Sequence, residues 1–158
     1  MLTQTTAFYE VHTPAGLAYS RLVLQMLRVA SDLTVAGDTL ARDFGLSAAR
    51  WLVMGAIRDG AKTISEIARE RGLARQSVQE TVNDMARQKL VVLVRSAEDG
   101  RSKLVRLTPR GLAMFTALTE RWAERANRVA RGFSRAELAT AADIVSRIGA
   151  DIEKLVGP

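Results

Sequence analysis

The stretch Thr63–Leu107 constrains the fold most, because it combines two capped helices with a two-stranded ribbon. Thr63 and Glu66 have the spacing of a capping box, in which the two side chains accept backbone N–H groups at the start of a helix. Gly72 can adopt the positive φ that follows a helix C-terminus. A second helix is predicted at about Ala74–Gln88, so the pair forms a helix-turn-helix.

The second helix of this pair has one apolar and one polar face. Successive residues of a helix are rotated by about 100° around its axis. This rotation places Val78, Thr81, Val82 and Met85 on one side. The opposite side carries guanidinium and amide groups, from Arg75, Gln76, Gln79 and Asn83. Arginine can make paired hydrogen bonds to guanine, and glutamine or asparagine can make them to adenine. We therefore expect this helix to be a DNA-recognition helix.

Two short apolar runs, VVLVR and KLVRL, follow the helix pair, and an Asp-Gly hairpin signal lies between them. Such a hairpin would carry Arg101 near its tip, with Arg95 and Lys103 on its flanks. A basic side chain on a projecting hairpin can enter a minor groove, where the negative potential is strongest over A·T-rich DNA. The alternative is an ordinary surface hairpin with a stray arginine.

The positive charge of the chain is concentrated in the same region. The net charge is +6, and residues 62–110 hold eleven Lys and Arg residues against six acidic ones. A basic footprint confined to one module is what phosphate binding needs, whereas solubility charge would be spread along the chain. The alternative is a solvated basic face without a partner.

Helices are predicted on both sides of this module. A long helix with a broad apolar surface is expected at residues 15–36, with Gly37 and Asp38 breaking it, and Ser47 is expected to cap a second helix at Ala48–Arg58. Thr108-Pro109 predicts the start of a helix that runs to about Arg131.

The last helix is predicted to begin after a second capping box, Ser134 and Glu137. Its apolar residues recur in steps of three and four, at Leu138, Ala141, Val145, Ile148, Ile152 and Leu155. This heptad-like seam, together with the broad apolar surface of the first helix, predicts a homodimer. The alternative is packing within one chain.

The composition argues against an enzyme. Cysteine is absent and His12 is the one histidine, so we expect no metal site, no cofactor and no catalytic residue. The longest apolar run, Trp51–Ile57, has seven residues, far short of the ~20 that span a bilayer. The first residues lack the pattern of a secretory signal, so we expect a cytoplasmic protein without a membrane partner.

These motifs resemble the MarR family of winged-helix transcriptional regulators. The matching features are the GLS-x-x-R-W opening of the second helix, the helix-turn-helix, the wing pattern Asp99-x-Arg101 and the exit Leu107-Thr108-Pro109-x-Gly111. The resemblance implies a mainly α (α+β) fold in a single chain, residues 1–158. A winged helix-turn-helix lobe would lie at residues 47–107, and dimerisation helices at residues 15–36 and 109–157.

The resemblance also implies a function. Members form homodimers that bind a pseudo-palindromic duplex, and many release it when a small, often aromatic, acid binds. We therefore expect a sequence-specific double-stranded DNA-binding regulator that acts as a repressor. The alternative is a winged-helix protein–protein interaction module, although charge attraction alone would not require the amides of Gln76 and Gln79.

Individual site residues follow from the matched positions. Ser77 joins Arg75, Gln76 and Gln79 in the segment that reads bases and phosphates, and Asp99 would orient Arg101. Two positions depart from the family pattern: Ala74 removes a helix cap, and Glu80 replaces a basic residue, so that it would repel phosphate unless it pairs with Arg75, Arg87 or a cytosine amino group.

A binding site for an aromatic acid would need a cationic anchor beside apolar walls. Trp51 with Arg21 or Arg28 could supply these groups. Core packing for Trp51 and surface solvation for the two arginines explain the same residues equally well.

Overall fold

The computed structural model describes residues 11–95 and 102–156. Its elements, in chain order, are α1 (Pro14–Arg42), α2 (Ala48–Ala56), β1 (Lys62–Thr63), α3 (Ile64–Arg71), α4 (Arg75–Arg87), β2 (Val91–Arg95), β3 (Lys103–Leu107), α5 (Pro109–Ala130) and α6 (Arg135–Val156). The chain divides into two compact units, the first ending at Leu118 and the second beginning at Thr119. The predicted mainly α fold with a winged helix-turn-helix is confirmed.

The core of the first unit is formed by the apolar faces of α2, α3 and α4 and by the strands. The predicted apolar face of α4 is buried there, because Val78, Val82 and Met85 have no exposed surface. The other hydrophobic residues with at most 2% exposure complete this core: Leu40, Ala41, Val53, Met54, Ile57, Ile67, Leu90, Val91, Val105 and Leu118. Burial of this face leaves the opposite face of α4 to the solvent.

The turn between α3 and α4 has the predicted geometry. The Thr63 hydroxyl accepts the N–H of Glu66 at 3.2 Å, and the Glu66 carboxylate accepts the N–H of Thr63 at 2.7 Å, which completes the capping box. Gly72 follows α3 with φ of 62°, in the left-handed region that favours glycine. These local rules fix where α4 begins.

The strands form one antiparallel sheet in the order β1-β3-β2. Strands β2 and β3 have the predicted bounds, and Arg95 is opposite Lys103 in their register. Strand β1 was not predicted, because two residues carry no periodicity; Thr63 pairs with Leu104 of β3. This pairing attaches Thr63, the residue just before α3, to the hairpin of β2 and β3, which is the wing.

The predicted break at Gly37 and Asp38 is wrong, because α1 continues through both residues to Arg42. A Cβ at Gly37 would lie 3.2 Å from the Cβ of Ala48, so glycine allows α1 and α2 to approach closely. The Asp38 carboxylate accepts the N–H of Ala48 at 2.7 Å and so caps α2 together with Ser47. Glycine and aspartate usually end helices, but here Gly37 and Asp38 hold α1 against α2. Helix α2 itself ends at Ala56, before the predicted Arg58.

The exit from the wing is a close contact between backbones. The Thr108 hydroxyl accepts the N–H of Gly111 at 3.0 Å and donates to the carbonyl oxygen of Lys89 at 2.8 Å. A Cβ at Gly111 would lie 2.1 Å from the carbonyl oxygen of Leu90. The Leu107-Thr108-Pro109-x-Gly111 motif thus holds the start of α5 against the segment that joins α4 to β2.

The second unit contains the end of α5 and all of α6. Ser134 and Glu137 form the predicted capping box, with hydrogen bonds of 2.7 and 3.2 Å. No side chain of residues 135–155 is buried. Leu138, Val145 and Ile152, three members of the predicted seam, are 41–46% exposed, and Leu155 is 84% exposed.

Candidate nucleic-acid interface

A groove of about 520 Å³ lies in the first unit between the recognition helix α4, the start of α3 and the wing. Four of the predicted DNA-binding residues line it together: Arg75, Gln79, Asn83 and Lys103. Thr63, Ile64, Ser65, Leu93 and Ser102 complete the lining. The groove therefore combines two cations, two amides and the N-terminal turn of a helix, a set of donors that suits an anionic polymer with base edges.

Three further predicted contacts are exposed on α4 and β2, outside the lining of the groove. Gln76 and Ser77 are exposed on the first turns of α4, and Arg95 is exposed at the end of β2. Arg101 and Asp99 lie outside the described residues, so the wing-tip prediction stays a prediction. Helix α4 begins at Arg75 without a side-chain cap, as expected for Ala74.

The amides of α4 are paired along the helix. The Gln79 Nε2 donates to the Asn83 Oδ1 at 3.0 Å, and the Gln76 Nε2 donates to the Glu80 Oε1 at 3.2 Å. Pairs at i and i+4 restrict the side-chain rotamers before any ligand arrives. Within the described residues, the partner of Glu80 is therefore Gln76, and neither arginine suggested by the sequence pairs with it.

The basic residues of this unit fall into two groups. Lys62 and Arg71 pair with Glu70, and Arg87 pairs with Asp84. In residues 11–95 and 102–156, no ion pair involves Arg75, Arg95 or Lys103. A cation that forms no ion pair within the described residues can bind an incoming anion without first breaking such a pair, so these three predicted contacts are available to an anion.

Two carboxylates beside the groove are held in the charged state. Hydrogen bonds from the backbone and hydroxyl of Thr63 lower the pKa of Glu66, and the hydrogen bond from Lys62 lowers the pKa of Glu70. Glu66 supports the start of α3, and Glu70 neutralises Lys62. Both acids therefore stabilise the residues that surround the groove.

Sequence reasoning missed the contribution of α3 to this groove. Ser65 lies in the first turn of that helix, where backbone N–H groups other than the one bound by the Thr63 cap can bind anions. The capping box at Thr63 predicted where this helix starts, but the position of the start beside the wing depends on the β1–β3 pairing. Ser102 adjoins Lys103, and its place in the groove follows from the register of the wing.

The three residues suggested for ligand binding lie outside the lining of the groove. Arg21 and Arg28 are exposed on α1, and Trp51 is half-buried on α2. A second cavity of about 570 Å³ lies between the end of α2 and the start of α5, and it is lined by residues 57–61, residues 106–109 and Leu112. Neither cavity has Arg21, Arg28 or Trp51 in its lining.

A metal centre and a membrane-spanning helix have no counterpart in residues 11–95 and 102–156. In this part of the chain, no group of three or more His, Cys, Asp and Glu side chains is arranged to hold a metal ion. The described helices also include none with the length and apolar content to cross a membrane.

Known proteins resemble this chain in sequence and in fold. A protein from Mycobacterium tuberculosis, the uncharacterized protein Rv2011c, is 32% identical over 129 residues, which cover 82% of this chain and 90% of the relative. A MarR/EmrR family transcriptional regulator from Acinetobacter sp. ADP1 has a TM-score of 0.79 at 18% identity, over 85% of this chain and 96% of that one.

A third similarity is to BpsR of Bordetella bronchiseptica, with a TM-score of 0.69 at 24% identity over 80% of this chain and 92% of that one. The two structural similarities bear on the fold. A family model described as MarR family matches residues 44–102, which include α2, the helix-turn-helix and strand β2. With this match and the winged-helix fold, the chain belongs to the MarR family of transcriptional regulators.

Proposed function

We propose that this chain is a homodimeric repressor that binds a pseudo-palindromic DNA duplex in a sequence-specific way. The observation that carries the proposal is the groove beside α4, where Arg75 and Lys103 flank the paired amides of Gln79 and Asn83. Amides can distinguish base edges, and the flanking cations can bind the phosphates of the same duplex. A partner that is merely acidic would use the cations alone.

The proposed dimer rests on apolar surface that the chain leaves exposed. Leu24, Leu27 and Val35 of α1 are 63–65% exposed, and the seam of α6 is also accessible to solvent. Apolar side chains exposed in this number on one helix are typical of an interface between proteins. In a two-fold dimer the recognition helices would need a separation of about 34–36 Å to enter successive major grooves.

The proposal also includes release of the DNA when a small acid binds to the protein. It is supported by BpsR, whose DNA binding is regulated by 6-hydroxynicotinic acid. Arg21, Arg28 and Trp51 stay the proposed ligand contacts, and Arg101 with Asp99 stays the proposed minor-groove contact. Thermal-shift screening with aromatic carboxylic acids tests this part. A screen in which no acid both stabilises the dimer and weakens DNA binding would contradict it.

Selection of bound duplexes from a random pool tests the main proposal. We expect enrichment of an inverted repeat whose half-sites are about 10 base pairs apart, because the two-fold axis of the protein imposes the same symmetry on its site. Binding of the selected duplex should weaken steeply with salt as counterions are released. A monomer that enriches no sequence at low salt would refute the function and would favour a protein-interaction module.

A further inference from the structure

Arg50 of α2 makes contacts that the DNA-binding groove does not explain. Its side chain is 21% exposed and lies outside the lining of the groove. The Nη1 donates to the carbonyl oxygen of Gly45 at 3.2 Å, in the turn between α1 and α2. The Nη2 lies 3.8 Å from the carboxylate of Asp84, on α4.

A third contact reaches the end of the recognition helix. In the amide orientation that satisfies both side chains, the Gln88 oxygen accepts from Nη1 at 3.2 Å and from Nη2 at 3.0 Å. Gln88 is the C-cap of α4. One guanidinium thus joins the turn before α2 to the last turn of α4, and the planar, multidentate group of arginine suits this task better than the single ammonium of lysine.

The other end of α4 has no comparable restraint from a side-chain cap, because Ala74 provides none. The middle of the helix is held by its buried apolar side chains, including Val82. Loss of the contacts at Asp84 and Gln88 would therefore allow α4 to tilt about its middle. The tilt would move the groove side chains although none of them had been changed.

The size of this effect follows from helix geometry. Arg75 lies seven residues before Val82, about 10.5 Å along the axis, so a tilt of about 5° moves its backbone by roughly 0.9 Å. The usual range of N–H···O distances is only about 0.5 Å wide. A shift of this size would break paired hydrogen bonds to a base edge, whereas contact between a flexible cation and phosphate would survive it.

We propose that Arg50 is a positioning residue that sets the DNA sequence preference of this protein by fixing the C-terminal end of α4. The inference rests on the proposed DNA-binding function. Loss of the Arg50 side chain should therefore weaken sequence-specific DNA binding more than nonspecific DNA binding. Arg50 contacts Gly45, Asp84 and Gln88. It would therefore act on the DNA preference through the position of α4.

The test uses the full chain and compares R50M, R50K and Q88A with R58M as the matched control. Arg58 belongs to the same unit and pairs with its neighbour Asp59, so R58M removes the same charge without affecting α4. For each variant, the affinity for the duplex selected by the wild type is divided by the affinity for a scrambled duplex. Thermal unfolding is recorded in parallel.

We expect R50M to lower this specificity ratio by about tenfold, and R50K and Q88A to lower it by smaller factors, while R58M leaves it within about twofold. The double variant R50M/Q88A should lose little more than R50M alone, because both changes remove the same contact. A merely structural role would lower the melting temperature and leave the ratio unchanged.

Each result decides between these roles. If R50M does not fold, R50K and Q88A carry the test, and unchanged ratios in both would overturn the inference. A wild-type protein with a clear preference that R50M retains would overturn the inference and leave the proposed function intact. A wild-type protein that prefers no duplex would overturn both.

Discussion

Replacement of Gly111 by alanine should destabilise the protein, although alanine normally stabilises a helix. A Cβ at this position would lie 2.1 Å from the carbonyl oxygen of Leu90. Carbon–oxygen contacts in proteins are about 3.3–3.6 Å, so α5 or the Leu90 backbone must move by more than about 1 Å. The Leu90 oxygen also accepts the N–H of Thr108 at 3.0 Å, and this movement would strain that hydrogen bond.

The expected magnitude combines two opposing effects. Overpacking costs about 1–3 kcal/mol, and a backbone clash belongs at the upper end, because a carbonyl cannot rotate away as a side chain can. Alanine in a helix recovers about 0.5–1 kcal/mol. The net loss of about 1–2.5 kcal/mol should lower the melting temperature of a chain of this size by about 2–10 °C.

The assay is thermal unfolding followed by circular dichroism, with G60A as the matched control. No atom lies within 4 Å of a Cβ at Gly60, in the loop before β1, and its φ is not in the left-handed region. The control should gain about 0.4–1 kcal/mol through a smaller unfolded-state entropy. If G111A were as stable as the wild type, or gained as much as G60A, the close contact at the wing exit would be refuted.

Four further predictions concern the groove and its supports. R75A should reduce the slope of log affinity against log salt by about one, because one phosphate contact is lost; an unchanged slope in a binding titration would exclude that contact. Q79A should cost about 1–3 kcal/mol at particular base pairs, measured with single-base operator variants; equal losses on all duplexes would remove Gln79 from base reading. A74S should add a helix cap and raise stability by about 0.5–2 kcal/mol in thermal unfolding; no gain would mean that the helix end is satisfied in another way. The lowered pKa of Glu66 contributes stability above its ordinary value of 4.5 and loses it as the pH falls through the lowered value, so the difference in melting temperature between wild type and E66Q should shrink with acidification; a constant difference would contradict this assignment.

Local rules predicted the recognition helix and its partner because these rules act over a few residues. The capping box of Thr63 and Glu66 and the positive φ of Gly72 depend on the backbone of one turn. The spacing of the apolar residues of α4 predicted its buried face for the same reason. In a helix, residues three and four positions apart lie on the same face.

The same rules failed where a residue acts on a distant element. Gly37 and Asp38 are weak helix formers, so local propensity predicted a break. The close approach to Ala48 and the cap on its N–H offset that weakness, and these contacts exist only when α1 and α2 are packed together. The pairing of Arg50 with Gln88, 38 residues away, is equally invisible to a local rule.

The sequence by itself determined the helix-turn-helix, the strands of the wing, the basic stretch and the identity of the amides on α4. Only the tertiary structure decided which of these groups meet. It placed Arg75, Gln79, Asn83 and Lys103 around one groove together with the start of α3, and it left Gln76 outside that lining. The physical reason is that propensity and periodicity act within one element, whereas a binding surface is set by the strand register and the packing that bring separate elements together.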